Sequence, residues 1–112
     1  MNYKIVPTED FDRNVKPLAK KYQSFIEDLK KFKKELLSNP DMGEKLGGNI
    51  HKVRMSIASK GKGKRGGARV ITCNVLINIE HTKIYLLAIY DKGEQDNISA
   101  KEIEILKRRN GL

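Results

Sequence analysis

The apolar residues of this chain change their spacing once, between Leu37 and Lys52, and that change limits the folds open to it. Before it, Phe11, Val15, Leu18 and Tyr22 recur at helical spacing, and Ile26, Leu29, Phe32 and Leu36 form a second stripe. After it, Val53, Met55 and Ile57 alternate with Lys52, Arg54 and Ser56, the period of a strand with one buried face. A chain that places helices first and strands afterwards cannot be a bundle or an all-β sandwich. Each amphipathic helix needs a sheet to cover its stripe.

The individual elements follow from local signals. Tyr3 to Val6 reads as a short first strand, ended by Pro7, with Thr8 placed to cap a helix. Pro17 lies inside the first helical pattern and is expected to kink or divide it. Ser24 followed by Glu27 reads as a capping box for a second helix over about Phe25 to Leu37, which Asn39, Pro40, Asp41 and Gly43 stop. The charged outer faces of these helices, including Lys30, Lys31, Lys33 and Lys34, read as solvated surface.

Strands are expected from Lys52, over Ala68 to Ile79, and over the continuously apolar Ile84 to Tyr90. Ser59 to Gly67 is expected to be a flexible basic hairpin connection, with His81 and Thr82 in the next turn and Asp91 to Asn97 a polar loop. Ser99 with Glu102 is a second capping box, opening a short last helix marked by Ile103 and Leu106. The expectation is an α+β fold in the order β-α-α-β-β-β-α, with an antiparallel sheet, an N-terminal helical hairpin on one face and a short C-terminal helix. The opposite face must be partly polar or covered from outside. At 112 residues the chain reads as one domain, 1–112, since halves would bury too little core.

Charge separates the regions further. The chain carries a formal +9, yet no acidic residue occurs between Glu44 and Glu80, where Lys45, Lys52, Arg54, Lys60, Lys62, Lys64, Arg65 and Arg69 lie. The rest of the chain is nearly balanced, so the excess is local. A concentrated positive field attracts polyanions, and RNA or DNA is the leading partner class. Cys73 is the lone cysteine, which excludes an internal disulfide and fits a reducing cytosol. Its place in an apolar run marks a buried, inert thiol. No run approaches the ~20 apolar residues of a spanning helix, so no membrane partner is expected.

The glycine-rich segment Lys60 to Arg69 resembles nucleotide-binding loops only superficially. It lacks the four-residue spacer before Gly-Lys and the following Ser or Thr of a phosphate loop, and its glycines join strands rather than a strand to a helix. His51 and His81 are the only histidines, and neither forms a metal-ligand spacing or a Ser-His-Asp set. RNA cleavage through its own 2′-hydroxyl needs neither. It needs cations to stabilise the pentavalent phosphate and groups that manage protons. Crowded lysines can supply both, because neighbouring positive charges lower a lysine pKa.

Three segments carry a family resemblance: Lys52-x-Arg54, the run GKGKRGGARVI from Gly61 to Ile71, and IYLLAIYDKGEQDNIS from Ile84 to Ser99. With Leu18-Ala19-Lys20-Lys21-Tyr22 in the first helical region, the chain resembles the RelE/ParE superfamily of toxins along nearly its whole length, and most closely the HigB- and RelE-like branch.

The resemblance implies a metal-independent endoribonuclease, without cofactor, that enters the A site of the 70S ribosome, cleaves translated mRNA and is silenced by a cognate antitoxin in the cytoplasm. It implies that Arg69 contacts the scissile phosphate. Lys52 and Arg54 would then be the cationic pair on the preceding strand and Lys92 the basic position after the last strand. Lys60, Lys62, Lys64 and Arg65 are the candidate RNA-binding residues, with Lys62 and Lys64 flanking the substrate.

The chain departs from the pattern at three positions. Ile98 stands where several ribosome-dependent relatives have a stacking tyrosine, Cys73 where an aromatic is common, and Arg65 where serine is common. Tyr90 can replace the missing ring only if it faces the active surface. A non-catalytic RNA- or DNA-binding module and a ParE-like gyrase inhibitor remain the alternatives.

Overall fold

A computed structural model describes residues 1–112. The elements run β1 (Asn2–Pro7), α1 (Glu9–Lys21), α2 (Phe25–Ser38), β2 (Glu44–Gly47), β3 (Ile50–Met55), a 3-10 turn (Ala58–Lys60), a single helical turn α3 (Gly63–Gly66), β4 (Ala68–Asn78), β5 (His81–Asp91) and α4 (Ala100–Arg109). The strands form one sheet in the order β1-β5-β4-β3-β2. From β2 to β5 the sheet is an antiparallel meander, and β1 joins its far edge parallel to β5. The expected α+β architecture is therefore present, with one additional strand.

Thr8 ties the first strand to the first helix. Its N–H and its hydroxyl both donate to the Leu86 carbonyl of β5, at 3.1 and 2.8 Å, while the Thr8 hydroxyl oxygen accepts from Phe11 N–H as the N-cap of α1. The helix then runs undivided through Pro17. That residue is exposed, so the Arg13 carbonyl deprived of a partner faces water.

The capping box at Ser24 does not form. The hydroxyl donates to Asp28 at 2.6 Å and accepts from Ser59 N–H at 2.8 Å, joining α2 to the 3-10 turn instead of closing the helix end. Ser99 does cap its helix, with Glu102 N–H donating to the Ser99 hydroxyl at 3.1 Å and that hydroxyl donating to the Glu102 carboxylate at 3.2 Å.

Two apolar cores lie on opposite faces of the sheet. On one, Phe11, Leu18, Phe25, Leu29, Phe32 and Leu36 of the helical hairpin pack against Val53, Met55, Val70, Ile84, Leu86 and Ile89. On the other, Ile50, Ile71, Cys73, Leu87 and Tyr90 meet Ile98 and Ile103 at the start of α4. The second face is thus covered in part by the chain's own last helix. A bulge on β5 makes this possible: Ile71 pairs with Ala88 and Thr72 with Leu86, so Leu87 is the extra residue and packs with Ala88 on the α4 side.

Three expectations need correction. His81 and Thr82 belong to β5, because Asn78 makes the turn earlier: its side-chain oxygen accepts from Glu80 N–H at 2.9 Å. Glu44–Gly47, where no strand was expected, is the strand β2. Ser59 to Gly67, expected as a plain hairpin connection, contains part of a 3-10 turn and a single helical turn. No helix is long and apolar enough to cross a membrane.

Candidate phosphate-binding cleft

The pairing of β3, β4 and β5 places Arg54 opposite Arg69 and Arg69 opposite Tyr90 in a single cross-strand row. Lys52 lies two residues from Arg54 on β3 and so shares its face. Like charges directly opposite each other weaken a sheet, so the Arg54–Arg69 pair costs stability unless an anion sits over it. The side chains that meet there line a cleft of about 560 Å³ formed with Met42, Gly43, Glu44, Val53, Lys64, Lys92 and Asp96. Five cations, Lys52, Arg54, Lys64, Arg69 and Lys92, thereby face two carboxylates, Glu44 and Asp96.

Close approach of β3 to β4 is a glycine effect. A Cβ at Gly67 would collide with the Met55 carbonyl, and one at Gly43, whose φ is +96°, would stand 2.6 Å from the Lys52 carbonyl. Gly67 therefore brings the start of β4, and with it Arg69, against the end of β3. Gly43 does the same for the chain entering β2.

Arg69 is only 6% exposed and has no carboxylate partner. Its guanidinium donates to three main-chain carbonyls: Arg65 at 2.8 Å, and Lys64 and Ala68 at 3.2 Å. Burial lowers its pKa from the usual guanidinium value, and Arg54 lowers it further. Carbonyls satisfy N–H groups without neutralising the charge, so the cation is immobilised and remains available to an anion. Arg54 is exposed and also lacks a carboxylate partner.

The three lysines of the cleft are held differently. Lys52 lies 3.4 Å from Glu44 and donates to Asn97 at 3.3 Å; Lys64 donates to Glu35 of α2 at 3.1 Å. Lys92 donates to the Asp96 carboxylate and to its carbonyl, the latter at 3.0 Å. That Lys92 bond, with the charge of Lys92 and then Lys52, lowers the Asp96 pKa. Such exposed pairs are weak and exchange readily with a polyanion.

Of the residues expected to act in the site, Lys52, Arg54, Lys64, Arg69 and Lys92 are brought together. Lys60 is not. Its ammonium donates to Asp91 at 2.6 Å on the helix side of the sheet, in a pair 15% and 2% exposed. Lys62 and Arg65 are exposed and lie outside the cleft. Glu35, Glu44, Asp91 and Asp96 were not foreseen as partners of these cations. Asp96 follows Lys92 by four residues, which is a usable signal, whereas Glu44 and Asp91 reach theirs only through the tertiary fold.

Tyr90 is 7% exposed and belongs to the second core, lining a separate cavity of about 360 Å³ between α1, β5 and α4. Its hydroxyl is buried without a hydrogen-bond partner, and burial raises its pKa against the opposing effect of Arg69. Ile98 is buried beside it, and no aromatic side chain lines the cationic cleft. Cys73 is a free, buried thiol whose pKa burial raises, in keeping with an inert core residue. No group of three or more His, Cys, Asp or Glu side chains converges so as to hold a metal ion.

Residues 3–111 match the family model described as the RelE toxin of the RelE/RelB toxin–antitoxin system.

Proposed function

Because the chain belongs to the RelE toxin family, with a cognate antitoxin implied as partner, we propose that its cationic cleft cleaves mRNA on the ribosome, as in the HigB- and RelE-like branch. The observation that carries this reading is the Arg54–Arg69 pair, two cations without carboxylate partners facing each other across adjoining strands at the floor of one cleft. A phosphodiester is the group that relieves their repulsion.

In the reaction, a ribose 2′-oxygen forms a bond to the adjacent phosphorus and the bond to the 5′-oxygen of the next nucleotide breaks, leaving a cyclic phosphate and a 5′-hydroxyl. Negative charge builds on the non-bridging oxygens in the pentavalent state, and the buried Arg69 with the exposed Arg54 stabilises it. One proton leaves the 2′-hydroxyl and one reaches the 5′-oxygen. Lys52, Lys64, Lys92, Glu44 and Asp96 are the titratable groups of the cleft available for that transfer. Substrate on the ribosome places the action in the cytoplasm.

The absence of an aromatic ring from the cleft favours a second reading, a module that binds RNA without cutting it. The deciding experiment is a cleavage assay on mRNA carried by translating ribosomes, using the wild-type chain and Arg69→Ala, with EDTA present in a parallel series. Cuts inside codons that disappear with Arg69→Ala support the nuclease. Bound, intact RNA, or growth arrest with intact transcripts, overturns it.

A further inference from the structure

The segment from Lys60 to Gly67 is clipped at both ends to consecutive residues, Asp91 at the end of β5 and Lys92 just after it. At one end the Lys60 ammonium donates to Asp91 Oδ1 at 2.6 Å; at the other, Lys92 N–H donates to the Gly67 carbonyl at 3.0 Å. Between the clips lie the carbonyls of Lys64 and Arg65 that accept from Arg69. Asp91 is built into its place. It also accepts from the Tyr22 hydroxyl and from Gly93 N–H at 2.9 Å, and Lys21 of α1 stands 3.8 Å from its Oδ2 while bonding Glu94 at 2.6 Å. None of Lys21, Tyr22, Lys60, Asp91 or Glu94 lines the cationic cleft.

We infer that Asp91 is a positioning residue for the cleft: through Lys60 it closes the 60–67 segment, and the closed segment presents the two carbonyls that hold the Arg69 guanidinium. A buried guanidinium takes its orientation from its acceptors. Of the three that Arg69 has, only the Ala68 carbonyl is fixed by β4 itself; the other two come from the clipped segment. That segment contains Gly61 and Gly63 at positive φ, together with Gly66 and Gly67, so it loses unusual backbone freedom when ordered. With the Lys60 clip released, the carbonyls of Lys64 and Arg65 no longer converge and Arg69 loses its aim. Gly93 belongs to the same device, because a Cβ there would stand 3.1 Å from the Lys60 ammonium.

This inference rests on reading the cleft as the phosphate site, yet its structural half can be tested without RNA. The full chain is compared with Asp91→Asn, Lys60→Met and the milder Gly93→Ala, each alone and combined with Arg69→Ala. One readout is the set of Arg69 side-chain N–H resonances in ¹⁵N spectra. The other is the affinity for a short single-stranded RNA whose 2′-hydroxyls are replaced by hydrogen at the scissile position.

The expected result is resolved, slowly exchanging Arg69 signals that collapse in the variants while sheet amides hold their positions. Affinity should fall about tenfold in the parent background and less than about twofold in the Arg69→Ala background, since two groups acting through one contact are not additive. Unchanged Arg69 signals, or losses that add in full to that of Arg69→Ala, overturn the inference and leave the network a fold-stabilising one. If Asp91→Asn does not fold, Gly93→Ala decides by the same two readouts. Arg69 signals that respond, in a chain whose RNA affinity ignores Arg69→Ala, support the positioning role and overturn the phosphate-site reading instead.

Discussion

Two groups of cations flank the end of β5, and they differ in how their charge is balanced. On the helix side, Lys60 is pressed against Asp91, a carboxylate that also receives Tyr22 and Gly93. On the cleft side, Arg54 and Arg69 face each other with no carboxylate between them, and the lysines around them hold only exposed, exchangeable partners. Alternation along a strand sends neighbours to opposite faces, so Asp91 and Lys92 belong to different groups although they are adjacent in sequence. The difference separates a cation held by a buried carboxylate from cations that the proposed function assigns to a phosphate, a distinction residue type alone does not make.

The largest effect should come from breaking the cleft side at its fixed member. Arg69→Ala is expected to lower the rate of mRNA cleavage by about 10²- to 10³-fold, the usual cost of losing one pre-placed transition-state donor. Thermal melting should show the fold retained, because removing one of two opposed arginines also removes a repulsion. Single-turnover cleavage and a melting curve on the same sample check both halves.

Breaking the helix side should act on stability first. Burial pushes the Asp91 carboxyl up, but hydrogen bonds from Lys60, Tyr22 and Gly93 outweigh it and hold the pKa at about 2, below the ordinary 3.8. A depressed carboxyl stabilises the fold above its unfolded value and loses that contribution as pH falls through the folded one. The shift corresponds to about 2 kcal/mol, present at neutral pH and lost between roughly pH 4 and pH 2. Asp91→Asn should therefore be less stable than the parent in urea at pH 7, with the gap narrowing over that acid window. A gap independent of pH shows that packing, not charge, holds this corner.

Much of this comparison was beyond the reach of sequence because it depends on which groups meet in space. The helical stripes, the strand alternation at Val53 to Ile57 and the acid-free interval were local patterns, and they yielded the fold class and four of the five cations of the cleft, whereas Lys92 was reached only through the family resemblance. Lys60 was grouped with the cleft lysines because the alternation of Lys and Gly from Lys60 to Lys64 looks uniform, while in the fold Lys60 meets the buried Asp91 thirty-one residues away and Lys64 the exposed Glu35. The strand β2 went unseen because Glu-Lys-Leu-Gly has no alternation of its own and is exposed throughout; pairing with β3 makes it a strand. The α4 cover of the second face likewise depended on a bulge at Leu87 inside a run too apolar to reveal one.

The exchangeable lysines offer a finer test of the same contrast. Lys64→Ala and Lys92→Ala should each weaken RNA binding several-fold and reduce the salt dependence of log K by about one, as expected for loss of one phosphate contact. Lys62→Ala and Arg65→Ala, outside the cleft, should change affinity by less than about twofold at moderate salt. Equal losses at all four positions, measured by titration across salt concentrations, would mean that diffuse charge attracts the RNA and that the cleft gives no local preference.

The smallest effect, and the most discriminating in sign, is expected from Glu44→Gln. Glu44 stands on β2 opposite Lys52, 3.4 Å from its ammonium, and is one of two carboxylates bordering the cleft. If it merely balances charge while no ligand is bound, its removal frees Lys52 and lessens repulsion of phosphate, and RNA affinity should rise about two- to threefold, within the range of an exposed ion pair. If instead it aims Lys52, affinity should fall and the loss should vanish in a Lys52→Ala background. A rise confirms that acids near the open cations are dispensable neutralisers, unlike Asp91, whose loss costs stability; a fall makes Glu44 a second anchoring carboxylate and erases that contrast at the β2 edge.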